Sequence, residues 1–486
     1  ALPQVTAILF ACAVSLGAVV LSFWRTTLRH LPRNNFGICS GMPTAADASP
    51  GEALTPWLHT YYNDLCKQEQ RFTSSSGTEH PKPLTFGDLK TANIDLQMMT
   101  TCLTLGRPFR LPFRDDHQVR ENKLFWYKES EFRELFPESV VDWMVLHERH
   151  YRARTEPHRL QHVSFEGFRC LPSPEDLPVV VAVRMSLSFP ILLSAVPLYS
   201  VDFRKPDEEL TLERCWFSDG GIGANFPIHF FDSPLPSRPT FGLDLGERSE
   251  ITDKAVVLPA RNADARLAYW RRIESSGLKG IIRFLGSVVN VAKDWNHETL
   301  GHMPGFRDRI ALIRLSREEG GLNLVMSEQQ ITKLSEYGRE AGREFVRRFG
   351  KPRDPSVPPA TTMNWENHQL VRLRLLLAAL SEYLVALNES AQQADALGFP
   401  YERFFHGGDD GPVRYRFKGR HDHTRDPQTH CEVTQAGLAR ALYDGLRALG
   451  EHTSRCTLSD STEPSRLSPA TGAPKPPPEL RLRPRV

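Results

Sequence analysis

Residues 217–228 read FSDGGIGANFPI. An apolar run ends in a carboxylate, Asp219, followed by glycines at 220, 221 and 223 and then by Asn225 and Pro227. Glycine admits positive φ and lets another backbone or a ligand approach closely. Asp-Gly is also an ordinary turn pair, because the Asp side chain bonds its own backbone. A turn alone needs one such pair, whereas this loop holds three glycines. The pattern singles out Asp219, Gly220 and Gly221 and leaves open whether Asp219 does chemistry or only starts a turn.

Other groupings fit their motifs less well. HERH (147–150) places Tyr151 where a zinc-binding helix needs its second histidine. HETLGH (297–302) sets its histidines five apart, off one helical face. HDHTRDPQTHC (421–431) holds three histidines and Cys431, but in no recognised metal-ligand spacing, so it reads as a polar loop. A metal-dependent hydrolase built on that loop is a weak rival reading. DGGIGANF is not GxGxxG, which argues against a dinucleotide site. No metal and no cofactor is expected.

The elements around Asp219 follow from periodicity. Strand candidates are 93–104, 124–130, 194–203, 214–219, 240–246 and 309–315. LPVVVAVRMSLSFP (177–190) starts as a β-branched run and closes at Pro190, so strand and helix both remain open for it. Thr85 in LTFGDL (84–89) reads as a helix cap. Helical spacing runs over 54–66, 131–146, 261–296, 327–349, 370–387 and 434–449. Strands alternating with helices predict an α/β fold whose sheet is mostly parallel, with helices on both faces.

The chain has 486 residues, a net charge of +2 and an apolar share of 40%. That balance gives no sign of a nucleic-acid partner. Eight scattered cysteines without a CxxC pair argue against a disulfide-dense module and for reduced thiols. Ala7–Trp24 is eighteen residues without a charge, at the lower edge of a membrane span, with Arg25 and Arg29 after it. It reads as a membrane segment or as a buried core helix. The expected divisions are 1–30 for this apolar helix, 31–350 for the main domain, 351–456 for a helical extension and 457–486 for a disordered tail.

Several of these pieces, in their order, resemble the patatin-like phospholipases. They are PLTFGDL (83–89), MMTTCLTLGRPFRLPF (98–113), AVRMSLSFPILLSAV (182–196), FSDGGIGANFPI (217–228), PGFRDRIALIRL (304–315) and EGGLNLVM (319–326). The resemblance covers roughly residues 35–350 and implies a three-layer sandwich, incomplete at its N-terminus, with helices added at the C-terminus. It implies ester hydrolysis by a Ser–Asp dyad without metal or cofactor, on a lipid or a membrane surface, in a membrane-associated or cytoplasmic protein. Asp219 is then the proton acceptor, in the DG[GA] motif with Gly220 and Gly221.

The chain departs from that family at the nucleophile. No glycine has a serine two residues after it, so GxSxG is absent, as is the Gly-rich oxyanion loop. GICSG (37–41) is the nearest mimic and makes Cys39 and Ser40 weak nucleophile candidates. Pro43 and a polar stretch follow it, where an elbow must launch a helix. With Ala1 as the first residue, the expectation is a sequence short of the N-terminal part of such a domain. The rival is a non-catalytic pseudoenzyme that binds lipid or a partner.

Overall fold

The computed structural model describes residues 29–43, 53–113, 125–149, 163–223, 226–247, 254–259, 303–316, 325–350, 363–405, 423–425 and 432–457, and a few single positions between them. By its internal contacts the chain divides after Pro227 into two units. The class is mixed α/β, with helices and several small sheets.

Among the described residues the first unit holds ten strands: β1 (Gly37–Cys39), β2 (Arg71–Thr73), β3 (Glu79–Pro81), β4 (Met98–Cys102), β5 (Arg107–Leu111), β6 (Trp126–Tyr127), β7 (Arg169–Cys170), β8 (Ile191–Leu193), β9 (Val196–Val201) and β10 (Leu212–Asp219). Six of them form one sheet in the order β5-β4-β10-β9-β6-β7. Every neighbouring pair in it is antiparallel. This corrects the expectation of a mostly parallel sheet. Four residues join β4 to β5 and ten join β9 to β10, too few for the crossover that parallel strands require. Among the described strands only β1 with β8, and one pair in the second unit, run parallel.

Local sequence explains the elements that frame β10. Helix Phe86–Thr91 starts at Thr85, whose hydroxyl accepts from the Asp88 amide while the Asp88 side chain reaches back to the Thr85 amide. The ambiguous run at 177–190 is a helix, Val179–Ser186, entered at Pro178 and left at Leu187. It is buried almost all round because it lies on β4 and β10. Beneath β10 the rings of Phe109, Phe113, Phe125 and Phe217 pack mainly edge to face, with centroids 4.9 to 6.1 Å apart. Cys102, Cys170 and Cys215 are buried free thiols.

The second unit holds β11 (Gly242–Glu247), β12 (Val256–Val257), β13 (Ile310–Leu315), β14 (His423–Arg425) and β15 (Glu432–Thr434). β11 and β12 flank β13, the first parallel and the second antiparallel. Helix Glu328–Phe349 buries Tyr337, Ala341 and Phe345, spaced by four, against Val256, Ala311 and Ile313. Helix Trp365–Ala396 is pinned by its first turns: Arg372 bonds Asp232 at 2.9 Å and His368 bonds Asp308 at 2.6 Å. Arg309 joins the same Asp232 at 3.0 Å. Helix Gln435–Thr457 lies along it, with Gly450 so close to the Leu384 carbonyl that a Cβ there would stand 2.7 Å away.

Ala7–Trp24 lies outside the described residues, as do most of the predicted helix 261–296 and the tail after 457. Among the described residues no helix is long and apolar enough to cross a membrane. The single-pass membrane segment drawn from the sequence therefore finds no support among the described residues.

Candidate functional site

β10 carries Asp219 to the end of a central strand, where it pairs with Thr100 of β4. The chain then makes one turn of 3-10 helix, Gly220–Ile222, which Asp219 caps. Its Oδ1 accepts from the Gly221 amide at 2.6 Å. Among the described residues Oδ2 has no hydrogen-bond partner, and the side chain is half-buried. The backbone is held from two sides: the Asp219 amide donates to Ser188 O at 3.0 Å, and the Gly223 amide donates to Thr101 Oγ1 at 3.1 Å. Gly220 is required by close approach, since a Cβ there would stand 2.2 Å from Met99 O. The three-glycine loop is therefore a tight cap on the strand end, and among the described residues it leaves Oδ2 without a partner.

Three segments are linked to one another behind this turn by hydrogen bonds. The first is the Ser-x-Pro element, whose Ser188 carbonyl receives the Asp219 amide and, at 2.7 Å, the Ser218 hydroxyl. The second is the loop at 37–41, which β1 fixes by pairing with β8: Gly37 lies opposite Ile191 and Cys39 opposite Leu193. A Cβ on Gly37 would stand 2.1 Å from the Ser194 nitrogen, and Gly41 has φ +83°, so both glycines of GICSG answer backbone demands. The third is helix Val179–Ser186, which brings in Arg184.

Arg184 is fully buried, and among the described residues it has no carboxylate partner. One terminal nitrogen donates to Ser188 Oγ at 2.5 Å, and the other donates to Ser40 O at 2.8 Å. Burial alone lowers its pKa to about 10. Its Nε is buried without a hydrogen-bond partner. The sequence reading passed over Arg184; the signal was one charged residue inside the apolar helix AVRMS.

The weak nucleophile candidates, Cys39 and Ser40, are not hydrogen-bonded to the carboxylate. Cys39 is exposed and ends a strand. Ser40 Oγ is turned to its own loop, accepting from the Met42 amide at 3.1 Å. Neither makes a hydrogen bond to Asp219. The nearby serines are also committed: Ser188 Oγ donates to Arg184 O at 2.6 Å and Ser218 Oγ to Ser188 O. Asn225 lies outside the described residues. The side chains of the histidine loop at 421–431 lie outside them too, and among the described residues no three His, Cys, Asp or Glu groups could hold a metal ion. The surface of the converging segments is apolar: Phe36, Ile38, Phe189, Ile191 and Ile222 are exposed, Ile38 at 67% and Ile191 at 62%.

No family model matches the chain, and no solved structure matches it. Among curated proteins it is similar to one named "RpoH suppressor" from Rhizobium meliloti (strain 1021), with 33% identity over 468 aligned residues. The match takes in 84% of this chain and 67% of that protein. The relative's name is not that of a lipid hydrolase, so the placement in membrane lipid metabolism and degradation that the resemblance implied is withdrawn. On that identity and coverage, the chain belongs to the RpoH suppressor family.

Proposed function

We propose that the chain carries the aspartate half of a patatin-like acyl-ester hydrolase site, with Asp219 as proton acceptor. The observation that supports this most is the state of its carboxylate. One oxygen is fixed by the Gly221 amide, and the other has no partner among the described residues, on a half-buried side chain at the end of a central strand. A carboxylate held in that way keeps its direction and retains a lone pair for a hydroxyl.

The chemistry is a two-step transfer. A nucleophilic hydroxyl loses its proton to Asp219 as its oxygen attacks the ester carbonyl. The tetrahedral adduct collapses to an acyl-enzyme, and the leaving alcohol takes that proton. Water then attacks the acyl-enzyme, again giving a proton to Asp219, and the carboxylic acid leaves as the nucleophile is restored. The exposed apolar side chains on the converging segments suit the acyl part of such an ester. The finer fold belongs to the same proposal: a patatin-like sandwich in which β10, helix Val179–Ser186 and the DGG turn form the base side of the site.

One observation favours a second reading. The hydroxyls of Ser40, Ser188 and Ser218 are turned to backbone or to Arg184. On that reading the fold binds a partner without catalysis, and Asp219 only caps its turn. Hydrolysis of a short p-nitrophenyl ester separates the two, measured for this chain and for the protein extended by the residues encoded upstream of Ala1. The first reading expects turnover in the extended protein, with Asp219→Asn lowering it by about 10²–10⁴-fold. Equal rates in the wild type and the Asn variant, or no turnover in either form, favour the second.

A further inference from the structure

A buried guanidinium that has no carboxylate partner among the described residues is costly, and its hydrogen bonds must offset that cost. Around Arg184 they hold three separate segments. The planar fork presents two donors at a fixed angle, one to Ser188 Oγ and one to Ser40 O. Ser188 returns a bond to Arg184 O at 2.6 Å, which locks its rotamer. The same Ser188 offers its carbonyl to the Asp219 amide at 3.0 Å and to the Ser218 hydroxyl at 2.7 Å. On the other side Gly41 packs against the fork: a Cβ there would stand 3.2 Å from Nε and 2.8 Å from Thr55 Oγ1. Thr55 in turn donates its amide to Gly41 O at 2.9 Å, tying the loop to helix Leu54–Leu65.

We infer that Arg184 is the positioning residue of the Asp219 site: a single guanidinium clasps the 37–41 loop to Ser188, and Ser188 sets the backbone of Asp219. A lysine cannot replace it, because one ammonium at the end of a flexible stem does not reach two acceptors at the fork's spacing. The word positioning rests on the reading of Asp219 as a base. The contacts do not, and the experiment reads the contacts.

Hydrogen exchange is measured amide by amide on the wild type, Arg184→Met and Arg184→Lys. Three amides report the clasp: Asp219 on Ser188 O, Met42 on Ser40 Oγ, and Thr55 on Gly41 O. Leu103, which donates to Trp216 O at 2.8 Å, reports the sheet. In Arg184→Met the three are expected to exchange faster together, by about tenfold or more, with Leu103 unchanged. Arg184→Lys is expected to recover the Met42 side or the Asp219 side, but not both. If Asp219 stays as protected as in the wild type in Arg184→Met, the inference is overturned. Equal loss at Leu103 also overturns it, since Arg184 would then be general core support. Should the methionine variant not fold, the lysine variant decides: split protection supports the clasp, and uniform loss rejects it. Failure of the base reading shows elsewhere, as absent ester turnover with the exchange pattern intact.

Discussion

Replacing Gly220 by alanine tests the close approach that builds the candidate site. The new methyl would stand 2.2 Å from Met99 O and 2.6 Å from Met99 C, and both are backbone atoms that no rotamer change can move. A comfortable C···O contact is about 3.3 Å, so β4 and the turn must part by roughly 1 Å. That shift strains the bonds from Thr100 Oγ1 to Ser218 O, 2.9 Å, and from the Gly223 amide to Thr101 Oγ1, 3.1 Å. Overpacking costs about 1–3 kcal/mol, and each lost hydrogen bond adds roughly 1 kcal/mol. The sum is roughly 3–5 kcal/mol, or a fall in Tm of about 6–20 °C for a unit of this size. Calorimetry on the wild type and Gly220→Ala measures it. A variant melting within a degree or two of the wild type would refute the argument that backbone proximity, and not turn propensity, demands this glycine.

Three further outcomes follow from the same kind of reasoning. Gly338 sits inside helix Glu328–Phe349 with open space where a Cβ would go, so Gly338→Ala should raise stability by about 0.5–1 kcal/mol in urea unfolding. Asp232 is the shared partner of buried Arg309 and Arg372, and Asp232→Ala should cost about 3–5 kcal/mol in the same assay, because two cations lose their anion. Burial lowers the His59 pKa from 6.5 to about 4, so the folded protein keeps it neutral where the unfolded chain takes up a proton. Its contribution is therefore complete above pH 6.5, is lost as pH falls toward 4 and levels off below that. The loss is about 3 kcal/mol, and a His59→Gln variant should show a flatter stability curve across that window.

Local order was legible where side chains act on their own backbone. Thr85 announced a helix start, and the runs read as strands at 194–203 and 309–315 are strands over Val196–Val201 and Ile310–Leu315. Sheet direction was not legible, because it depends on which strands are joined by short links. β5 was lost for a related reason: Pro108 argues against a strand, yet β5 lies at one end of the six-stranded sheet, where a missing amide is tolerated. The run at 177–190 stayed open until packing decided it, since a helix buried all round has no polar face to set its period. At the site, glycine spacing singled out Asp219, Gly220 and Gly221. It could not show Arg184, whose partners Ser40 and Ser188 are 144 and four residues away in sequence. The buried cluster of Asp232, Asp308, Arg309, His368 and Arg372 was equally hidden, for its members are far apart along the chain and converge only when helix Trp365–Ala396 docks.

Labelling with an alkyl fluorophosphonate tests the proton-acceptor role of Asp219 most directly, on this chain and on its upstream-extended form. Asp219→Asn keeps the cap on Gly221, since an amide oxygen accepts the same bond, so the fold should survive the change. The account predicts that the extended wild type labels at one serine, identified by mass spectrometry, and that the folded Asn variant labels at least about a hundredfold more slowly. Labelling at an unchanged rate in the Asn variant, or no labelled serine in any form, would contradict it.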